Sequence, residues 1–79
     1  MMTDYNKLEQ IMKAFASQTR LEMLDHIQRG LTNAGDIAMN MNRHRSSIDR
    51  HLRILAEANV VKKSTSKNKA RKNLYYIYS

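Results

Sequence analysis

The segment from Arg43 to Lys63 constrains the fold of this chain most strongly, because an amphipathic helical pattern runs directly into a β-branched, lysine-containing sequence. At about 100° per residue, apolar side chains spaced by three or four residues lie on one face of a helix, and the polar residues between them lie on the other. We therefore predict a helix over about residues 44–58. Its buried face has the spacing i, i+4, i+7, i+11 and consists of Ile48, Leu52, Leu55 and Asn59.

The opposite face of this helix carries long cationic and small hydroxyl side chains. Arginine can bond bidentately to guanine or to phosphate, and serine allows a helix to approach a groove closely. A solvated helix face is the alternative explanation, since it is the usual one for a run of charges. We predict nucleic-acid contacts from the helix and the residues just before it, namely Arg43, Arg45, Ser46, Ser47, Asp49, Arg50 and Arg53.

A second cationic segment follows and is flanked by good strand formers. Val60-Val61 and the run from Leu74 to Tyr78 predict two strands, and the polar run between them contains neither Pro nor Gly. We therefore expect a hairpin with a long tip, and the lysines of this tip can contact the phosphates of a nucleic-acid backbone. A solvated charged loop is the alternative. The predicted contacts of this wing, residues 62–72, are Lys62, Lys63, Lys67, Lys69, Arg71 and Lys72.

The charge distribution supports a polyanionic partner. Residues 1–40 hold four Lys or Arg and five Asp or Glu, for a net charge of −1. Residues 41–79 hold ten Lys or Arg and two Asp or Glu, for a net charge of +8. Nucleic acid is the polyanion that such a basic half favours. A membrane surface would require an exposed apolar face, and the apolar faces here are expected to be needed for the core.

Length and composition limit the remaining possibilities. A chain of 79 residues has room for one domain, residues 1–79, with a core small enough that oligomerisation is expected. Cysteine is absent, no apolar run approaches membrane-spanning length, and no secretory signal pattern opens the sequence. We expect a soluble, intracellular, cytoplasmic protein without a cofactor.

Two or three further helices are predicted before the basic one. A first helix over about residues 4–16 can be capped by Thr3 or Asp4, and its apolar stripe is expected in the core or at a contact between two copies. A second helix over about 18–29 starts after Ser17 and stops at Gly30, and a third covers about 33–39 after a short bridging strand at Leu31. The first stripe consists of Tyr5, Leu8, Ile11, Met12 and Phe15.

The predicted architecture is therefore mainly α with a small β-hairpin, a winged helix-turn-helix of three to four helices followed by a two-stranded wing. In the last strand, period two places Tyr75 with Ile77 and Tyr76 with Tyr78, so one pair should be core and the other exposed.

In this order the segments resemble the winged-helix repressors of the ArsR type. The similar segments are Phe15–Leu24 with its Thr19-Arg20 pair, Ser47–Leu55 with His51-Leu52, the exit Ala58-Asn59-Val60-Val61, and the returning strand Leu74–Ile77. The resemblance implies a dimer that binds operator DNA. It also implies DNA contacts from Arg45, Ser46, Ser47, Asp49 and Arg50, and a packing or phosphate-contact role for His51.

This sequence departs from the ArsR pattern in two respects. It has no cysteine and no helix after the wing, so metal sensing is not expected, and a homodimer would rely on the first helix and on the C-terminal strand. The turn before the basic helix, Asn42-Arg43-His44, is also about two residues longer than is usual, or else Arg43 stands where an apolar residue is usual.

Sequence-specific regulation of transcription through double-stranded DNA, with the protein as a repressor, is the first functional expectation. A nonspecific architectural nucleic-acid-binding protein and a winged-helix protein-interaction module are the alternatives. An enzyme is not expected, because Ser46, Ser47 and His51 lie on one helix and cannot converge with an orienting carboxylate in a cleft.

Overall fold

The computed structural model describes residues 4–64 and 74–77, which form four helices followed by an antiparallel hairpin. This arrangement confirms the predicted winged helix-turn-helix with its small sheet. The elements are α1 (Tyr5–Phe15), α2 (Gln18–Gln28), α3 (Ala34–Met41), α4 (Arg45–Glu57), β1 (Val61–Ser64) and β2 (Leu74–Ile77).

Side-chain caps explain where the first three helices begin. The carboxylate of Asp4 accepts from the amide of Lys7 at 3.1 Å, and the hydroxyl of Ser17 accepts from the amide of Arg20 at 3.3 Å. The side chain of Asn33 accepts from the first-turn amides of α3. Each cap satisfies an amide that has no partner within its own helix.

Helices α2, α3 and α4 and the strand β1 surround one apolar core. As predicted, Ile48, Leu52 and Leu55 of α4 are fully buried. Leu21, an apolar residue of α2, is nearly half exposed. The other fully buried large side chains are Met23, Ile37 and Val61, and small residues at Ala14, Ala34, Ala38 and Ala58 allow the helices to pack closely.

Helix α1 packs on this core through its small residue rather than through its large ones. Ala14 is fully buried and Ile11 is half-buried, whereas Tyr5 and Met12 are 76% and 65% exposed. Apart from the half-buried Ile11, the stripe therefore does not enter the core, and its other expected place, a contact between two copies, stays a prediction. At about 100° per residue, Ile11 lies about 60° around the helix from Ala14, and the other four residues of the stripe lie about 100° to 180° from it. Burying the Ala14 side of α1 therefore exposes the rest of the stripe.

The connection between α3 and α4 is a three-residue turn. Asn42 adopts the left-handed conformation with φ of 53°, and the amide of Arg43 donates to the carbonyl of Ala38 at 2.9 Å. Because α3 continues to Met41, the turn begins about two residues later than predicted. Asn59 follows α4 in the left-handed conformation with φ of 59°, and its side chain is exposed rather than part of the buried face as predicted.

The hairpin is fixed to the helices by its second strand. β1 and β2 pair in antiparallel register, with Val61 opposite Ile77. β2 also forms a bridge through Leu74 to Asn33, and the amide of Tyr75 donates to the carbonyl of Thr32 at 2.9 Å. The bridging segment predicted at Leu31 therefore lies at Thr32 and Asn33 instead. No helix within the described ranges is long and apolar enough to cross a membrane.

Candidate nucleic-acid interface

Helix α4 presents its polar side to solvent because its apolar side is held in the core. Its N-terminus follows His44, whose side chain makes no capping hydrogen bond, and its first residue is Arg45. The observed range Arg45–Glu57 agrees to within one residue with the predicted 44–58. Since Leu52 is fully buried at the middle of the helix, rotation about the helix axis is prevented.

The structure brings the predicted contact residues of this helix to one surface. Ser47 and Asp49 are half-buried at its edge. Across residues 4–64 and 74–77, no carboxylate lies within 4.0 Å of the guanidinium of Arg50 or Arg53. The exposed members are Arg43, Arg45, Ser46, Arg50 and Arg53.

One pair within this surface is ordered by a hydrogen bond. The Nε of Arg45 donates to Oδ1 of Asp49 at 3.3 Å, one helical turn further along α4. The guanidinium also lies against α3, because Nη1 is 3.3 Å from the position that a Cβ atom would take on Gly35. The absence of a side chain at Gly35 therefore leaves room for Arg45.

A cleft of about 390 Å³ separates α4 from the hairpin. Burial, and secondarily the Asp49 carboxylate, raise the pKa of Tyr75 above its ordinary value of 10.0. The phenol, protonated at neutral pH, can donate a hydrogen bond. A donor beside several cations favours an anionic group such as a phosphate. The lining residues are Arg45, Asp49, Leu52, Arg53, Ala56, Lys63 and Tyr75.

The described part of the wing adds one cation, Lys63, beside α4, whereas Lys62 lies on the opposite face of the hairpin with Tyr76 across from it. Val61 is buried, whereas Lys62 and Lys63 are exposed, and Lys63 lines the cleft. Tyr75 and Ile77 are half-buried and pack against the core, and Tyr76 is exposed. The remaining predicted wing contacts, Lys67, Lys69, Arg71 and Lys72, lie outside the described residues, as does Tyr78.

A second candidate surface lies along α1, on the side that is not packed on the core. Tyr5, Leu8, Met12 and Phe15 are all exposed there, and a largely apolar groove of about 510 Å³ runs past three of them. An apolar stripe of this kind on a small domain is typical of an interface with another protein surface.

Sequence reasoning missed one group of contacts close to α4. The side chain of Arg20 on α2 contacts the end of α1 and the ring of His51 on α4. The resemblance drew attention to Arg20 and His51 separately, but no periodicity links two residues 31 positions apart.

The described residues hold no cluster of potential metal ligands. Within 4–64 and 74–77, no three His, Asp or Glu side chains are close enough to hold a metal ion.

Comparison with known sequences identifies the family. The sequence profile described as "Bacterial regulatory protein, arsR family" matches residues 17–63, which extend from the cap of α2 into β1. The chain is also 39% identical over 54 residues to the transcriptional repressor SdpR of Bacillus subtilis, a match that covers 68% of this chain and 60% of the relative. The chain thus matches less than two thirds of that repressor's length.

Solved structures show the same fold over nearly the whole chain. An ArsR-like transcriptional regulator from Rhodococcus sp. RHA1 is 25% identical, with a TM-score of 0.83 over 98% of this chain and 70% of its own length. A homodimeric winged helix-turn-helix DNA-binding domain from Mycobacterium bovis is 20% identical, with a TM-score of 0.81 over 96% of this chain and 72% of its own. Taken with the match over residues 17–63, these likenesses show that the chain belongs to the ArsR family of bacterial regulatory proteins.

Proposed function

We propose that the chain is a sequence-specific regulator of transcription that binds double-stranded DNA as a repressor, with α4 as its recognition helix in the major groove. The observation that carries this proposal is the division of α4 into two faces. Ile48, Leu52 and Leu55 are fully buried, while Arg50 and Arg53 on the other side are exposed. A helix fixed on a core with cationic and hydroxyl groups outward has the geometry that groove binding requires.

The wing supplies affinity in this proposal. Lys63 extends the positive surface of α4 onto β1, and the cleft between the two elements is lined by Arg53, Lys63 and the Tyr75 phenol. Lys62, on the other face of the hairpin, is included as a backbone contact from its place in the sequence. Cations at these positions can neutralise phosphates and position the helix, whereas base edges are distinguished by Arg45, Ser46, Ser47 and Arg50. Lys67, Lys69, Arg71 and Lys72 belong to the same proposed backbone contact from their place in the sequence.

A homodimer through α1 is the proposed assembly. Its support is the exposed apolar stripe of α1, together with the family membership and the homodimeric state of the fold neighbour from Mycobacterium bovis. The exposed Tyr76 on β2 extends the apolar surface available to a second copy. A two-fold dimer would place its two α4 helices in major grooves about one helical turn apart, ~34 Å along the DNA.

Binding-site selection from random DNA, followed by footprinting of the selected sequence, tests the proposal. We expect a palindrome with both half-sites protected together, and a preference over random DNA of roughly 10³ or more at physiological salt. A preference near unity would instead identify a nonspecific architectural protein. Failure to bind any DNA at low salt would identify a protein-interaction module.

A further inference from the structure

The side chain of Arg20 joins three helices. From α2, its Nε donates to the carbonyl of Ala14 at 2.9 Å and its Nη2 donates to the carbonyl of Lys13 at 2.8 Å. Both carbonyls belong to the last turn of α1, where the regular amide partners four residues later are missing. The Lys13 carbonyl also accepts from the amide of Ala16 at 3.2 Å, whereas Arg20 supplies the partner of the Ala14 carbonyl. Its Nη1 lies 3.0 Å from Nδ1 of His51 on α4. One guanidinium therefore caps α1 and contacts the middle of the recognition helix.

The chemistry of the two groups fixes the tautomer of His51. A guanidinium has donors and no acceptor, so Nδ1 of His51 must be the acceptor of this hydrogen bond. The proton of the neutral ring then resides on Nε2. Partial burial lowers the pKa of His51 below its ordinary value of 6.5, and the charges of Arg20, Arg50 and Arg43 act in the same direction. These cations come from α2, from α4 itself and from the turn before α4.

We propose that Arg20 is a positioning residue for DNA recognition, which holds His51 as the neutral, Nε2-protonated imidazole and thereby fixes α4 relative to the end of α1. Arginine is required because its rigid fork serves three acceptors at once, whereas a lysine ammonium on a flexible stem cannot reproduce that geometry. We call these three contacts of Arg20 the clasp.

The consequence for DNA binding depends on the function and the dimer proposed above, whereas the state of the imidazole does not. If two copies meet through α1, the distance between their recognition helices is set by how α1 and α4 are oriented within each subunit. The clasp connects these two helices through a single side chain, Arg20 of α2. Its loss should therefore weaken binding to a correctly spaced palindrome more than binding to random DNA.

The tautomer can be measured on the unmodified protein. Long-range ¹H–¹⁵N spectra of the imidazoles should show His51 protonated at Nε2 at pH 7.5, with His26 and His44 assigned in the same spectra. The Arg20 Nε–H resonance should also change as His51 titrates. A His51 ring protonated at Nδ1, or an Arg20 signal that is insensitive to that titration, would overturn the proposal without any variant having to fold.

Substitutions then test the positioning role. Arg20→Lys keeps the charge and loses the fork, and we expect mixed His51 tautomers and about tenfold weaker binding to the selected palindrome, the order expected for losing a charge-assisted hydrogen bond. Arg20→Gln should additionally raise the pKa of His51. Arg29→Gln is the matched control, because Arg29 follows directly after the last residue of α2, is largely exposed and pairs with Asp25. It should change neither the tautomer nor the preference for the palindrome.

The outcomes separate this inference from the proposed function. If the imidazole spectra and the DNA binding of Arg20→Lys both match those of the wild-type protein, charge alone suffices and the positioning role is rejected. Absence of DNA binding by the wild-type protein would reject the proposed function while leaving the tautomer result standing. Specific DNA binding together with an Nδ1-protonated His51 would reject the clasp alone.

Discussion

The Nε of Arg45 donates to the Asp49 carboxylate at 3.3 Å, so the single acidic side chain among the proposed DNA contacts is engaged with a cation one turn earlier on α4. This contact uses Nε and leaves the two terminal nitrogens of Arg45 as donors for a base edge. Asp49 therefore limits the orientations of Arg45, at the cost of a negative charge that DNA would repel.

The first prediction concerns Asp49. Asp49→Ala should raise affinity for random DNA, because a negative charge is removed, while lowering the preference for the selected palindrome by about tenfold, within the range of one base contact. Glu57→Ala is the control, since Glu57 is an exposed acid at the far end of the same helix. It should raise affinity for both DNAs alike. Competition binding at fixed salt measures both ratios, and an equal loss of preference in the two variants would contradict the role of Asp49.

The second prediction separates base contacts from phosphate contacts. Arg50→Ala should weaken binding to the palindrome more than binding to random DNA, whereas Lys62→Ala, Lys67→Ala and Lys69→Ala should weaken both alike. Each lost phosphate contact should reduce the slope of log affinity against log salt concentration by about 0.9. Salt titrations with both DNAs provide the measurement. If Arg50→Ala affects the two DNAs equally, its proposed contact to bases is wrong.

The third prediction concerns the exposed stripe of α1. Met12→Glu places a charge in the centre of the stripe, where Met12 is 65% exposed in the single chain. A homodimer through this surface should dissociate to a folded monomer, since a buried charge without a partner is strongly unfavourable. Asn6→Glu adds the same charge on an exposed part of α1 away from the stripe, and should leave the dimer intact. Sedimentation equilibrium with circular dichroism checks both; an unchanged mass for Met12→Glu would exclude this interface.

The fourth prediction is a pH dependence of stability caused by His51. Because partial burial and neighbouring arginines hold the pKa of His51 below 6.5 in the folded protein, the unfolded chain binds the proton more readily. The contribution of His51 to the free energy of unfolding should be constant above about pH 6.5, should fall as the pH decreases from there to the lowered pKa, and should be constant again below it. Urea unfolding across this range measures the effect.

The control for that pH dependence is His51→Gln, in which a neutral amide oxygen can still accept from Arg20. This variant should lose the part of the pH dependence that His51 causes. The same substitution at His44, which makes no capping hydrogen bond at the start of α4, should retain it. A pH dependence that is identical in wild type and His51→Gln would show that other groups cause it.

Much of the fold could be predicted from local sequence signals. The caps Asp4, Ser17 and Asn33 and the left-handed Gly30 and Asn59 are short-range features, and each lies where the sequence predicted a helix end. Periodicity alone predicted that Ile48, Leu52 and Leu55 of α4 are buried, but it wrongly added Asn59, which is exposed.

Errors occurred where burial depended on a neighbouring element. The stripe of α1 has the largest apolar side chains of that helix, yet Ala14 faces the core because a small residue allows α1 to approach α2 and α4. Leu21 is exposed for a related reason, since Met23 and Ile27 occupy the buried side of α2. Hydrophobicity predicts that a face will be covered, but not which surface covers it. That residues 1–79 form a single domain stays a prediction.

By itself, the sequence determined the order of elements, the orientation of α4 about its axis and the concentration of positive charge in the second half, because spacing and composition act locally. The tertiary structure alone decided that Arg20 meets His51, that Gly35 makes room for Arg45, and that Tyr75 lies beside Asp49 and Lys63. These contacts join residues distant in sequence, and such pairings are fixed only when the helices and the hairpin pack together around the common core.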